Sequence, residues 1–163
     1  EKDTGGIIAE DLTEQPTGTT INDWVPGPSL SPGRIDGLPY WKAPYSKITA
    51  IDLNTGDHLW WIPIGDTPDY VLEHPALQGR PDPRTGSGRQ AAMFATPDML
   101  VYAGHGSDRT PYLFAVDKAT GEELARVAIP DDNRYHLSTY MHEGRQYIIA
   151  STNGGNFALA LPQ

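Results

Sequence analysis

ITAIDLNTGDHLWW, residues 48–61, joins two β-prone apolar runs through a polar stretch that ends in Thr-Gly. The chain writes the same phrase again as LFAVDKATGEELAR, with Asp52, Thr55, Gly56 and Leu59 matched by Asp117, Thr120, Gly121 and Leu124 at a constant offset of 65 residues. In each copy the turn chemistry is legible. The aspartate accepts hydrogen bonds from turn amides, the threonine does so more weakly, and the glycine takes the positive φ that lets the chain reverse. The shared pattern is therefore a hairpin signal, and Trp60 becoming Ala125 is its main departure.

A hairpin repeated at a spacing of tens of residues is the mark of a propeller or solenoid built from small antiparallel sheets. The period here exceeds the roughly 40 to 50 residues of an ordinary propeller blade. The surplus lies in residues 65–90, GDTPDYVLEHPALQGRPDPRTGSGRQ, which reads as a long loop with one short helical stretch near Tyr70–Leu77. Nine strands are expected from residue 48 onward: ITAIDL, HLWWIPI, AAMFATP, MLVYAG, YLFAVD, ELARVAI, STYMH, QYIIAST and FALALP. Residues 1–47 are dense in proline and glycine and show neither a helical nor an alternating apolar period. They form an irregular segment, too aromatic at Trp24, Tyr40, Trp41 and Tyr45 for a plain linker. The expected division is thus 1–47 irregular and 48–163 β-rich.

Composition narrows the function. Of 163 residues, 12 are Lys or Arg and 21 are Asp or Glu, a formal charge of −9 that repels nucleic-acid phosphates and anionic lipid. No stretch approaches the roughly 20 apolar residues of a membrane span. The opening EKDTGGIIAEDL lacks the regions of a signal peptide, so the expectation is a cytoplasmic chain or a trimmed piece of an exported one. Cysteine is absent, which removes disulfides, thiolate metal sites and cysteine nucleophiles. No Walker or dinucleotide fingerprint occurs, and the five histidines (58, 74, 105, 136 and 142) lack HxH or HExxH spacing. They read as surface or packing residues. Asp108, Arg109 and His136 are loop residues of the kind that serves acid–base chemistry.

Ala50, Asp52, Thr55, Gly56 and Trp60 form AxDxxTGxxxW, which resembles the tryptophan-docking motif of quinoproteins. These are dehydrogenases that carry pyrroloquinoline quinone (PQQ) in an eight-bladed β-propeller. GLPYWKAPYSKITAIDLNTGDHLWWIPIGDTPD and HPALQG resemble late blades of the glucose and related alcohol dehydrogenases. LFAVDKATGEELARVAIP, STYMHEGRQYIIAS and the terminal ALALP resemble the segment that ends them. The resemblance covers residues 37–162 and implies an all-β partial β-propeller of about two and a half four-stranded antiparallel blades. The nine strands then fall into groups of two, four and three. Such a piece would expose faces built to stack, so the resemblance implies as partners the remaining blades or another copy of the chain.

The resemblance further implies oxidation of a small alcohol or sugar, a periplasmic location, and PQQ with calcium in the parent enzyme, not bound by this chain alone. The family's catalytic aspartate and calcium ligands lie in earlier blades, so no catalytic or metal-binding residue is assigned here. Trp60 is a wedge between blades. The cofactor-binding candidates are Gln90 and the Gly-rich loop Asn153, Gly154, Gly155 and Asn156, with simple turn structure as the competing reading. Lys42 could pair with a PQQ carboxylate, against a solvated lysine. Ala125 fits a blade beside the ring closure. Two other functions stay open: a non-catalytic propeller scaffold, and a carbohydrate-binding β module using Trp24, Trp41 and Tyr45.

Overall fold

The computed structural model describes residues 34–40, 42–78 and 84–161, without the side chains of Arg34 and Arg134. Trp24, Trp41, the expected irregular stretch 1–33 and residues 79–83 of the long loop lie outside the described residues. The chain divides into two compact units, residues 1–41 and 42–163.

In the first unit, β1 (Arg34–Ile35) pairs antiparallel with β2 (Leu38–Pro39). Asp36 and Gly37 take φ values of 52° and 84° between them. This differs from the expected irregular chain, and the reason is local. Asp-Gly is the two-residue turn whose positive φ values match the strand twist, and no flanking alternation is needed to make it.

Among the described residues the second unit holds nine strands, close to the places expected for them except that the strand expected at STYMH begins five residues earlier, at Asn133, so that His136 lies on a strand and not in a loop. β3 (Lys47–Ile51) pairs with β4 (His58–Pro63). A four-stranded antiparallel sheet follows in the order β5 (Met93–Ala95), β6 (Met99–His105), β7 (Pro111–Asp117) and β8 (Glu123–Ala128). A three-stranded sheet has β10 (Arg145–Thr152) between β9 (Asn133–His142) and β11 (Gly155–Ala160). The 2, 4, 3 grouping is that of consecutive propeller blades.

The central sheet is covered on both faces, and its sequence shows how. Along β6 and β7, Leu100, Tyr102, Phe114 and Val116 point one way and pack on Ile48, Ile62 and Ile64 of the β3–β4 sheet and the residue after it. The alternate residues Val101, Ala103 and Leu113 point the other way, onto Leu137, Ile148 and Ala150 of the last sheet. Period-two alternation therefore appears as two apolar sets instead of one apolar and one polar. Each fully buried Val, Leu, Ile or Phe contributes about 1.5–3 kcal/mol.

The second of the repeated turns joins two of these sheets. In the second copy, Asp117 Oδ1 accepts from the amides of Ala119 and Thr120, at 2.8 Å each, and from the Thr120 hydroxyl at 3.1 Å. Those Thr120 bonds hold the Asp117 carboxyl below its ordinary range. Gly121 closes the turn at φ +76°, and a Cβ on it would stand 2.9 Å from the Trp60 ring. The Trp60 indole N–H donates to the Lys118 carbonyl at 3.1 Å. The tryptophan of one sheet thus lies on the turn of the next. Gly56, in the first copy, has the same backbone at φ +81° with nothing within 4 Å of a built Cβ. Ala125, the counterpart of Trp60, lines an apolar groove of about 360 Å³ with Leu159 and Leu161. The second copy therefore meets aliphatic side chains where the first meets a docking turn.

Two expectations follow for stability. Gly56→Ala and Gly121→Ala share the cost of a left-handed alanine, about 1–2 kcal/mol. Gly121→Ala also drives a methyl into the Trp60 ring, so it should cost at least about 1 kcal/mol more in urea unfolding. Tyr102, stacked on Phe114 with centroids 5.0 Å apart, has its pKa pushed up to about 12, first by burial and then by the Glu123 charge. Its folded value lies above the unfolded one, so its contribution is intact below pH 10 and is lost as pH rises through 12. Across that window the wild-type chain should lose stability more steeply than Tyr102→Phe.

Candidate functional site

The docking turns lie at one end of the sheets, and the connections between sheets run over the other. The longest, from β4 to β5, carries helix α1 (Asp69–Leu72) and a 3₁₀ turn (Pro75–Leu77), as the sequence leads one to expect. Gly65 starts it at φ +72°, where a Cβ would stand 2.5 Å from the His105 carbonyl oxygen; only glycine lets the loop approach β6 so closely. Asp66 N–H then donates to that carbonyl at 2.8 Å, and Asp69 N–H to the Ser107 carbonyl at 2.9 Å. On the return, Thr85 N–H donates to the Thr67 hydroxyl, the Thr85 carbonyl accepts from Tyr45, and Ser87 N–H donates to the Ile64 carbonyl. The described parts of the loop are thereby fixed to strand ends.

This brings Ile64, Ser87, Arg89, Gln90, Ala103, Gly104, His105 and Asn133 around one cleft of about 400 Å³. Asp132, from the β8–β9 connection, binds two of them. Its Oδ1 meets His105 Nε2 at 2.6 Å and its Oδ2 accepts from Arg89 Nη1 at 2.6 Å. The His105 side chain is 13% exposed and that of Asp132 18%, whereas Arg89 at 45% stands at the mouth. With Nε2 against a carboxylate, the Nε2–H tautomer is the favoured neutral form, leaving Nδ1 as an acceptor.

Asn133 is 6% exposed, and its Nδ2 donates to the carbonyls of His136 and Ser151, both at 2.8 Å. These two bonds orient the amide and leave Oδ1 unused. Ser87 Oγ, His105 Nδ1 and Asn133 Oδ1 are buried without a hydrogen-bond partner among the described residues. All three belong to residues lining the same cleft. A buried polar atom left so costs about 1–3 kcal/mol.

Of the residues singled out in the sequence, Gln90 lines this cleft. Asn153 and Gly154 form the exposed β10–β11 turn, Gly155 and Asn156 open β11, and none of the four lines the cleft; a Cβ on Gly154 would stand 3.3 Å from Asp131 Oδ2. Lys42 is exposed. Asp108 accepts from the Thr110 amide and hydroxyl, which lower its pKa, and so serves its own turn. His74 accepts from Ala76 N–H at the 3₁₀ turn, while the side chain of His136 is exposed. Of the five histidines read as surface or packing residues, His105 is hydrogen-bonded to Asp132 at the cleft. Its partner lies 27 residues away across two connections, so no local spacing announces it. Among the described residues no group of three or more His, Asp or Glu side chains could hold a metal ion. No helix among them is long and apolar enough to cross a membrane.

The family model for the glucose/ethanol/alcohol dehydrogenase β-propeller domain (PQQ) matches residues 11–148, reaching well into the proline-rich segment that the sequence resemblance leaves unmatched. A probable quinate dehydrogenase (quinone) of Xanthomonas campestris pv. juglandis is 31% identical over 125 residues, 72% of this chain and 15% of that protein. The quinate/shikimate dehydrogenase (quinone) of Acinetobacter baylyi is 29% identical over 72% of the chain and 14% of its own length. The quinoprotein glucose dehydrogenase of Escherichia coli is 29% identical over 87% of the chain and 16% of its own length. The chain spans about one-seventh of the length of these relatives. No solved structure matches it.

Asp132→Asn keeps one acceptor where two charge-assisted bonds are made. It should lower unfolding stability by about 1–3 kcal/mol, and amide exchange should quicken at residues 84–90 and 129–133 before it does in β6 and β7. Uniform loss of protection would contradict a local tie.

Proposed function

This chain belongs to the β-propeller family of PQQ-dependent glucose, ethanol and alcohol dehydrogenases, and on that premise we propose that it is the C-terminal part of such an enzyme. The parent oxidises an alcohol or sugar hydroxyl, and this portion supplies part of the cofactor cavity wall. The observation that supports the wall role is the cleft itself: an Arg89–Asp132 ion pair whose carboxylate also hydrogen-bonds His105, beside three unpartnered buried polar atoms, at the loop end of the sheets.

PQQ is a planar quinone bearing three carboxylates, and when bound it supplies the acceptor for the hydride leaving the hydroxyl carbon. The donors at the cleft mouth fit its carboxylate rim. Arg89 uses Nη1 on Asp132 and keeps further N–H donors, and the Gln90 side chain is exposed beside it. The Asn153–Asn156 turn forms an adjoining stretch of wall, where Gly154 and Gly155 permit a close backbone approach. Calcium and the catalytic aspartate belong, in this reading, to the parent's other blades. A periplasmic location is part of the same reading, carried by the family resemblance alone.

Mixed with PQQ, calcium and an artificial dye, the 163-residue chain should reduce no dye when offered an alcohol or sugar; robust turnover would contradict the placement of the catalytic groups. In the parent enzyme, Gln90→Ala and Asn156→Ala should raise the PQQ concentration needed for half-activity several-fold. An unchanged requirement in both removes the wall role.

A further inference from the structure

Asn153 is the one asparagine of the chain followed by glycine, and asparagine is among the thermolabile side chains. β10 and β11 pair through Thr152 opposite Gly155, so Asn153 and Gly154 are the whole connection between them. Both are exposed. Neither the Asn153 side chain nor the Gly154 N–H makes a hydrogen bond among the described residues. The Asn153 side-chain carbon Cγ and the Gly154 nitrogen belong to neighbouring residues, and glycine puts no side chain in the way of their meeting. The other described asparagines are protected. Asn133 is 6% exposed and both hydrogens of its Nδ2 are bonded, to the His136 and Ser151 carbonyls. Asn54 precedes the β-branched Thr55, and Asn156 precedes Phe157 and is paired with Ser151 in the sheet.

We propose that Asn153–Gly154 is a self-modification site, at which the chain deamidates through a succinimide to isoaspartate and aspartate. The Gly154 nitrogen attacks Asn153 Cγ. The N–Cγ bond forms as the Cγ–Nδ2 bond breaks, and the Gly154 amide proton leaves with Nδ2 as ammonia. Water then opens the ring. Cleaving the new N–Cγ bond leaves aspartate on an unchanged main chain, whereas cleaving the bond from that nitrogen to the Asn153 backbone carbonyl carbon reroutes the main chain through Cβ and Cγ as isoaspartate. Either product adds a carboxylate near Asp131, whose Oδ2 stands 3.3 Å from the position of a Cβ on Gly154. Isoaspartate also lengthens the two-residue connection by one main-chain atom. The Thr152–Gly155 pairing and the bond from the Thr152 hydroxyl to the Gly155 carbonyl, 2.7 Å long, leave no slack for it. β11 pairs with β10 alone, so it is the strand that loosens.

The test incubates the 163-residue chain in mildly alkaline ¹⁸O-labelled water and follows each asparagine by peptide mass spectrometry, with isoaspartate methyltransferase to tell the products apart. Asn153 should convert roughly tenfold or more faster than Asn54 or Asn156, taking up the heavy oxygen, and Gly154→Ala should slow it by a similar factor. The isoaspartate form, separated by its added charge, should exchange its β11 amides several-fold faster with β6 and β7 unchanged, while Asn153→Asp, which keeps the main chain, exchanges them as wild type does. Conversion at Asn153 no faster than at Asn54, an unchanged rate in Gly154→Ala, or an isoaspartate form with wild-type exchange in β11 overturns the inference. None of these readouts involves PQQ or dye reduction, so failure here leaves the dehydrogenase reading standing, and failure of that reading leaves the modification site.

Discussion

The Trp60 indole lying on the Asp117–Gly121 turn is the contact on which the second unit is organised. One N–H···O bond of 3.1 Å is worth about 1 kcal/mol net, so the hydrogen bond by itself is minor. Its value is in register. The indole ring leaves room for no side chain at position 121, and the bond fixes which carbonyl it faces, so the β3–β4 sheet can dock on the central sheet in one way. Ile48, Ile62 and Ile64 then meet Leu100, Tyr102, Phe114 and Val116, and the apolar burial does the stabilising. Arg126 adds a second tie between the same parts. It bonds Asp66 and Glu123 while lying 4.5 Å above the Phe114 ring, and the two carboxylates hold its pKa above the ordinary value. Its side chain is one-third exposed, so solvent screening keeps this tie modest.

Fixing the sheets at one end frees the other for chemistry. The β4–β5 connection leaves from Gly65 against His105, returns past Thr85 and Ser87, and delivers Arg89 to Asp132 at the next connection. The cleft is therefore made by three separate stretches of chain, each held by backbone bonds to strand ends. Such a site keeps its geometry because the strands beneath it are packed on both faces, and its buried acceptors persist because that packing outweighs their cost.

Much of this fold is legible in the sequence because its signals are local. The Asp-x-x-Thr-Gly turns, the nine apolar runs and the short helical stretch each occupy a few neighbouring residues. Trp60 is a reliable wedge for the same reason, since its partner turn is a copy of its own. The Asp36-Gly37 hairpin is a local signal too, passed over because proline and glycine dominate its surroundings. The site is different. His105 and Asp132 come together only after the central sheet and the following connection are in place, and Asn133 becomes unsatisfied only once β9 and β10 consume its donors. Gln90 stands in the cleft through the path of a loop whose composition says nothing of where it returns. Pairings that depend on tertiary closure leave no periodicity to read.

The claim that a tryptophan of one sheet seats on the glycine turn of the next is open to direct observation. The Gly121 Hα resonances report on it, because ring-current shielding falls off steeply with distance from the indole. The account predicts large upfield shifts for Gly121 Hα, cross-relaxation between these protons and the Trp60 ring, and collapse of both in Trp60→Leu, while Gly56 keeps ordinary turn shifts throughout. Ordinary shifts at Gly121 in the folded wild-type chain would contradict it.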